Sequence, residues 1–191
     1  YLPDGKVPML PPEAAERLGM GLSEISPALS FGLDLDEDGN IINLQVIPSR
    51  VRVTRLTYEE AEKRLDEPPL NDLYRLARDF QARRRRNGAV RIDLPEVQVR
   101  VVGGDVVIRP LPPLRSRALV REAMLMAGEA TAGFASDHGI PLPYATQVPP
   151  DSDKRPDDLA GMFELRRHMS RSEYSGRPGR HAGLGLDRYV Q

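Results

Sequence analysis

The chain of 191 residues has no cysteine. A disulfide framework and a thiolate zinc site are therefore excluded, and a reducing compartment, by default the cytoplasm, is expected. No apolar run approaches the ~18 residues that a membrane span needs, and the first residues lack a basic-then-apolar signal pattern. Histidine is scarce as well. His138, His168 and His181 have no metal-ligand spacing, and no Ser-His-Asp arrangement can be read. A formal net charge of -1 excludes a protein coated in positive charge. There is no internal repeat and no linker long enough to separate two domains.

What is present is a chain 40% hydrophobic and 29% charged, enough for one core or for part of a larger one. Its cations are nearly all arginine and gather twice. Arg83, Arg84, Arg85 and Arg86 run together at the end of an amphipathic stretch. Arg166, Arg167, Arg171, Arg177 and Arg180 alternate with hydroxyl and ring side chains. Each group reads either as a solvated face or as a phosphate track, and composition does not decide between them.

Pro3, Pro8, Pro11 and Pro12 make the opening an extended lead-in to a short helix over 13–18. Leu29, Phe31, Leu33 and Leu35 alternate, residues 36–40 are a turn, and Ile42, Leu44 and Val46 resume the alternation: a β-hairpin. Val51 and Val53 predict a third strand. Thr57 with Glu60 forms a capping box, and Leu70, Leu73, Leu76, Ala77 and Phe80 mark a helix that Asn87-Gly88 stops. A second hairpin turns at Gly103-Gly104-Asp105. The longest helix is predicted over 115–136, burying Leu119, Ala123, Met124, Ala127, Ala130 and Phe134. The class is α+β, a mixed, largely antiparallel sheet with packed helices.

Asp34, Asp36, Asp38 and Gly39 open like a calcium loop. The twelfth position, however, is Gln45 and the flanks alternate with period two, so an aspartate-rich hairpin turn accounts for the same letters.

Several segments together resemble the RNB catalytic domain of the ribonuclease II/R family of exoribonucleases. They are Tyr1-Leu2-Pro3 with Pro8-Met9-Leu10-Pro11, the hairpin at Asp36-Glu37-Asp38-Gly39, Arg55-Leu56-Thr57-Tyr58-Glu59-Glu60, Asn87-Gly88-Ala89, Arg121-Glu122-Ala123-Met124 and Pro149-Pro150-Asp151. The closing His181-Ala182-Gly183-Leu184-Gly185-Leu186-Asp187-Arg188-Tyr189 is the most distinctive. The resemblance implies that residues 1–191 are the central portion of one RNB catalytic domain, without its upstream aspartate cluster and its downstream T-S-P-x-R-[RK] segment. The implied activity is 3′ to 5′ hydrolysis of single-stranded RNA to nucleoside monophosphates, assisted by Mg2+. No catalytic or metal-holding residue is expected within the chain, which alone should be catalytically incomplete. A monomer flanked by further RNA-binding modules is implied. An RNA-binding member that has lost catalysis is the alternative.

The same resemblance implies an RNA channel. Tyr1 would stack on a base deep in the site, and Tyr58 would lie near a ribose, where its hydroxyl can meet a 2′-OH. Ile92 stands where a second stacking aromatic is usual and offers no π-face. Arg121 replaces a glutamate that often partners the ribose-sensing tyrosine, leaving Glu122 one step, roughly 100°, round the helix. Tyr174, His181 and Tyr189 would line the last channel wall.

Overall fold

The computed structural model describes residues 5, 7–90, 92–150, 156 and 158–191. Helices α1 (Pro12–Leu18), α2 (Tyr58–Lys63), α3 (Leu70–Arg86), α4 (Arg115–Asp137) and α5 (Leu159–His168) accompany strands β1 (Ser26–Leu35), β2 (Ile41–Val51), β3 (Val97–Val102), β4 (Asp105–Pro110), β5 (Tyr144–Thr146) and β6 (Glu173–Ser175). Among the described residues the strands form three two-stranded sheets, β1-β2, β3-β4 and β5-β6. This is the expected α+β class with antiparallel pairing.

Two compact units share the chain. The smaller comprises the described residues of Tyr1–Ser30, Val46–Thr57 and Pro95–Pro113; the larger comprises Phe31–Gln45, Tyr58–Leu94 and the described residues of Leu114–Gln191.

In the smaller unit, Pro12 opens α1 at a position where its missing N–H costs nothing. The β3-β4 hairpin pairs Val97 with Pro110 through to Val102 with Asp105. Its two-residue turn needs left-handed backbone at both positions, which Gly103 (φ 62°) and Gly104 (φ 92°) supply. The expected third strand is not formed. Val51 is the last residue of β2, and Val53 lies in no regular element. Strand β2 runs on through Pro48, which a two-stranded ladder tolerates where the residue's nitrogen is not needed as a donor.

The larger unit is built on α3 packed against α4. Phe80 is fully buried among Leu125, Met126, Ala145, Leu186 and Tyr189, with Leu33, Leu35, Ile41 and Leu184 against the same cluster. Burying such side chains contributes about 1.5–3 kcal/mol each. A smaller cluster joins Ala132, Tyr144 and Val190 to Leu142. Helix α3 ends as its sequence predicts: Asn87 caps it, and Gly88 at φ 87° lets Ala89 N–H return to the Arg84 carbonyl at 2.9 Å.

Helix α4 has no side-chain cap of its own. The Ser116 N–H in its first turn is satisfied by Glu62 Oε2 of α2 at 2.8 Å, with Arg115 Nε on the other oxygen at 2.7 Å. Its buried face differs from the predicted stripe. Leu119 and Ala130 are inside as expected, but so are Leu125, Met126, Ala132, Ala135 and Glu122, while Met124 is 68% exposed. Packing on more than one side widens the buried arc beyond a simple stripe.

Candidate nucleic-acid interface

Tyr58 is the first residue of α2, one position after the predicted capping threonine, and is 39% exposed. Its backbone carbonyl accepts a hydrogen bond from Ser116 Oγ at 2.8 Å, and the Arg117 guanidinium lies over its ring, 4.6 Å from the centroid. The Glu62 carboxylate below this junction is held under the usual carboxylate range: burial pushes it up, but hydrogen bonds from Arg115 and Ser116 outweigh burial. The junction between α2 and the start of α4 is therefore pinned by charged hydrogen bonds on one side of an accessible tyrosine ring.

Arg121 and Glu122 are adjacent on α4 and differ in exposure. Arg121 is exposed, with Nε 3.3 Å from Glu122 Oε1. Glu122 is 1% exposed; it receives both Arg84 Nε and Arg84 Nη2, at 2.7–3.0 Å, and Gln81 Nε2 at 3.1 Å. The step of roughly 100° between neighbours on a helix carries one side chain to solvent and the other to the core.

Arg84 also donates to the Leu184 carbonyl at 2.8 Å, so one buried guanidinium ties α3, α4 and the closing segment together. Arg83 is equally buried and pairs with Glu129. These two arginines are neither the solvated face nor the phosphate track that the run 83–86 offered. The signal was in the spacing: Ala77, Phe80 and Arg84 lie at i, i+3 and i+7, and Leu119, Glu122 and Met126 repeat the interval on the facing helix. An arginine and a glutamate each on an apolar stripe are a buried pair waiting to meet.

Around the closing segment, His181 and Tyr189 meet edge to face at 6.1 Å. His181 caps the short 3-10 turn Ala182–Leu184, its Nδ1 accepting from Leu184 N–H at 3.3 Å, and burial holds the imidazole below its ordinary basicity. Tyr189 belongs to the core, and burial, then the nearby Tyr174, raises its phenol above the ordinary value. Tyr174, on β6, is 66% exposed. Ile92 is half-buried in no regular element, and Tyr1 lies outside the described residues. Of the expected site residues, His181 meets Tyr189, with Tyr174 close to Tyr189, while Tyr58 meets α4 at Ser116 and Arg117.

In the second arginine group, Arg167 pairs with Glu164 at 3.4 Å. Arg180 pairs with Asp187 at 2.6 Å and donates to the Asn87 carbonyl at 2.5 Å. Arg166, Arg171 and Arg177 are exposed. Arg171 and Arg180 line a recess of about 390 Å3 with Thr146, Gln147 and Ser170.

No group of three or more His, Asp or Glu among the described residues is placed to hold a metal ion. The aspartate-rich turn is occupied with itself. Asp36 Oδ1 accepts from the N–H groups of Asp38 (3.0 Å) and Asn40 (2.8 Å) and Oδ2 from Asn40 Nδ2 (2.9 Å), and these bonds, led by the Asn40 amide, lower its pKa. That is a turn held by its side chain.

The larger unit thus presents an exposed Tyr58 beside Arg117 and an exposed Arg121. The RNB domain family model matches residues 1–163, and the chain belongs to that family. A Synechocystis protein described as an uncharacterized ribonuclease is 38% identical over 205 residues, covering 100% of this chain and 31% of the relative. The chain spans about a third of the length of that relative. Mycoplasma genitalium RNase R, solved with ribose-methylated single-stranded RNA, superposes with a TM-score of 0.84 at 19% identity, over 100% of this chain and 38% of that one. Yeast Ssd1, described as a pseudonuclease, shares the fold with a TM-score of 0.70 at 18% identity, over 100% and 30%.

Proposed function

We propose that this chain is part of a 3′ to 5′ hydrolytic exoribonuclease that degrades single-stranded RNA to nucleoside monophosphates. Membership of the RNB family, matched over residues 1–163, carries that reading. The chain's own share is the RNA channel. Tyr58 meets a ribose or base, Arg121 a phosphate, and Tyr174 with His181 forms a second wall backed by the buried Tyr189, while Ile92 packs against a base without stacking and Tyr1, outside the described residues, stacks on a base. Glu122, turned inward, acts by holding Arg84.

Mg2+ is the proposed cofactor of the whole enzyme, held by residues other than those described here, so the chain by itself is catalytically incomplete. We place the enzyme in the cytoplasm as a monomer with flanking RNA-binding modules. No helix among the described residues is long and apolar enough to cross a membrane.

The test is to follow 5′-labelled single-stranded RNA and the matching DNA, with and without Mg2+, using the full-length protein and the chain alone. A ladder shrinking from the 3′ end, on RNA only and only with Mg2+, from the full-length protein is expected. Salt-sensitive RNA binding without turnover would favour the second reading, a member that holds RNA but has lost catalysis. The fold shared with a pseudonuclease is compatible with that reading. Neither binding nor turnover would sink both.

A further inference from the structure

Two arginines of the larger unit's helical pair are used internally, Arg83 by Glu129 and Arg84 by Glu122. Two others stand one helical turn apart on α4, Arg117 and Arg121, and so share a face. Arg121 is 60% exposed in its side chain, and the Glu122 oxygen nearest to it already accepts from Arg84 Nη2 at 2.9 Å and Gln81 at 3.1 Å. Its charge is only loosely answered.

Arg117 is the more unusual. It is half-buried, its Nε is buried without a hydrogen-bond partner, and no carboxylate among the described residues pairs with it. Burying part of a guanidinium without an anion is unfavourable, and groups left so are candidates for an external partner. One face of the guanidinium is covered by the Tyr58 ring at 4.6 Å. With Nε closed off, what the stacked guanidinium has left to offer a phosphate is its terminal Nη donors. The backbone that carries the ring is held as well, since Ser116 Oγ donates to the Tyr58 carbonyl at 2.8 Å.

We propose that Arg117 is a phosphate-binding residue that also positions Tyr58, with Arg121 as a second phosphate contact one turn further along α4. Arg117 has this role only if the chain binds RNA as proposed above. A tyrosine ring beside two under-used guanidinium groups fits a single-stranded polynucleotide better than an acidic peptide, which has no base to set against the ring.

The experiment is a salt titration of binding to fluorescein-labelled oligoadenylate RNA by anisotropy, on the full-length protein, with chelator present so that no metal-dependent cleavage intervenes. Each phosphate contact on a single strand contributes about 0.7 to the slope of log K against log salt. Arg117→Gln is therefore expected to lower the slope by about 0.7, and Arg117→Gln with Arg121→Gln by about twice that. Arg117→Lys keeps the charge but not the planar stack, so it should retain the slope while affinity falls by a factor of about five. Arg75→Gln, which removes an exposed arginine of α3 paired with Asp72, controls for general loss of charge.

If Arg117→Gln moves the slope no more than Arg75→Gln while the parent protein binds RNA, the role of Arg117 is overturned and the RNA-binding function stands. If the parent protein shows no salt-dependent binding, both fall. Retention of the slope and affinity by the Lys variant, with circular dichroism unchanged throughout, confines the role to charge and overturns the positioning part.

Discussion

Gly128 sits in the middle of α4, where glycine is ordinarily about 1 kcal/mol worse than alanine. Its reason is the closing segment. A Cβ there would stand 2.3 Å from the Tyr189 ring and 2.5 Å from the Val190 carbonyl oxygen. The second contact is backbone and cannot swing aside, so Gly128→Ala is expected to reverse the usual sign and destabilise by roughly 1–3 kcal/mol, measured by urea unfolding. A stabilised variant would show that the closing segment does not rest on α4 as described. The buried Arg84-Glu122 pair makes a second residue-level case. Glu122→Ala strands a guanidinium whose side chain is only 8% exposed and should cost about 3–5 kcal/mol. Replacing both partners, Arg84→Met with Glu122→Leu, should recover much of that loss, because no charge is then left unpaired. Equal losses in the single and double variants would mean that the pair is not the source of the effect.

Elements were the most legible level of this sequence, and the reason is periodicity. The helix ending at Asn87-Gly88, the hairpin turning at Gly103-Gly104 and the long helix from Arg115 all stand where spacing and turn chemistry place them. What spacing could not supply was the environment of a charged side chain. Arg83 and Arg84 look like a solvated helix end until the facing helix is known to offer Glu129 and Glu122. The candidate site was less legible: Tyr58 and Tyr174 are exposed, but Glu122 and Tyr189 are buried, and Arg117 gave no sign of its place over the Tyr58 ring. At the scale of one element, the β3-β4 turn gives a clean test, since nothing lies within 4 Å of a Cβ added at Gly103 and only its φ of 62° matters. Gly103→Asn should therefore be nearly neutral, because asparagine visits left-handed backbone. Gly103→Val should cost about 1–2 kcal/mol and speed amide exchange at Val102 and Val106. Equal effects of the two would remove the backbone explanation.

For the whole molecule, the groups with shifted pKa values set the direction in which pH acts on stability. Burial lowers His181 in the folded state from its ordinary 6.5, so the unfolded chain takes up the proton first. Its contribution is full above about 6.5 and is lost as pH falls through the folded value. The geometry agrees, since Nδ1 accepts from Leu184 N–H and a proton placed there removes the acceptor that caps the turn. Asp36 and Glu62, both lowered, extend the loss in the same direction through the carboxylate range. Tyr189, raised by burial, acts at the other end: its contribution is present below pH 10 and is lost as pH rises through the folded value. Unfolding free energy should therefore fall on both sides of neutrality, with the first acid step belonging to the closing segment. His181→Gln isolates that step, because the glutamine carbonyl can still accept the Leu184 N–H but cannot be protonated near neutrality. The variant should show a flatter stability profile just below pH 6.5 and an unchanged decline at lower pH, followed by urea midpoints across the range. An identical decline in parent and variant would assign the step to some group other than His181 and leave the half-buried imidazole a packing residue only.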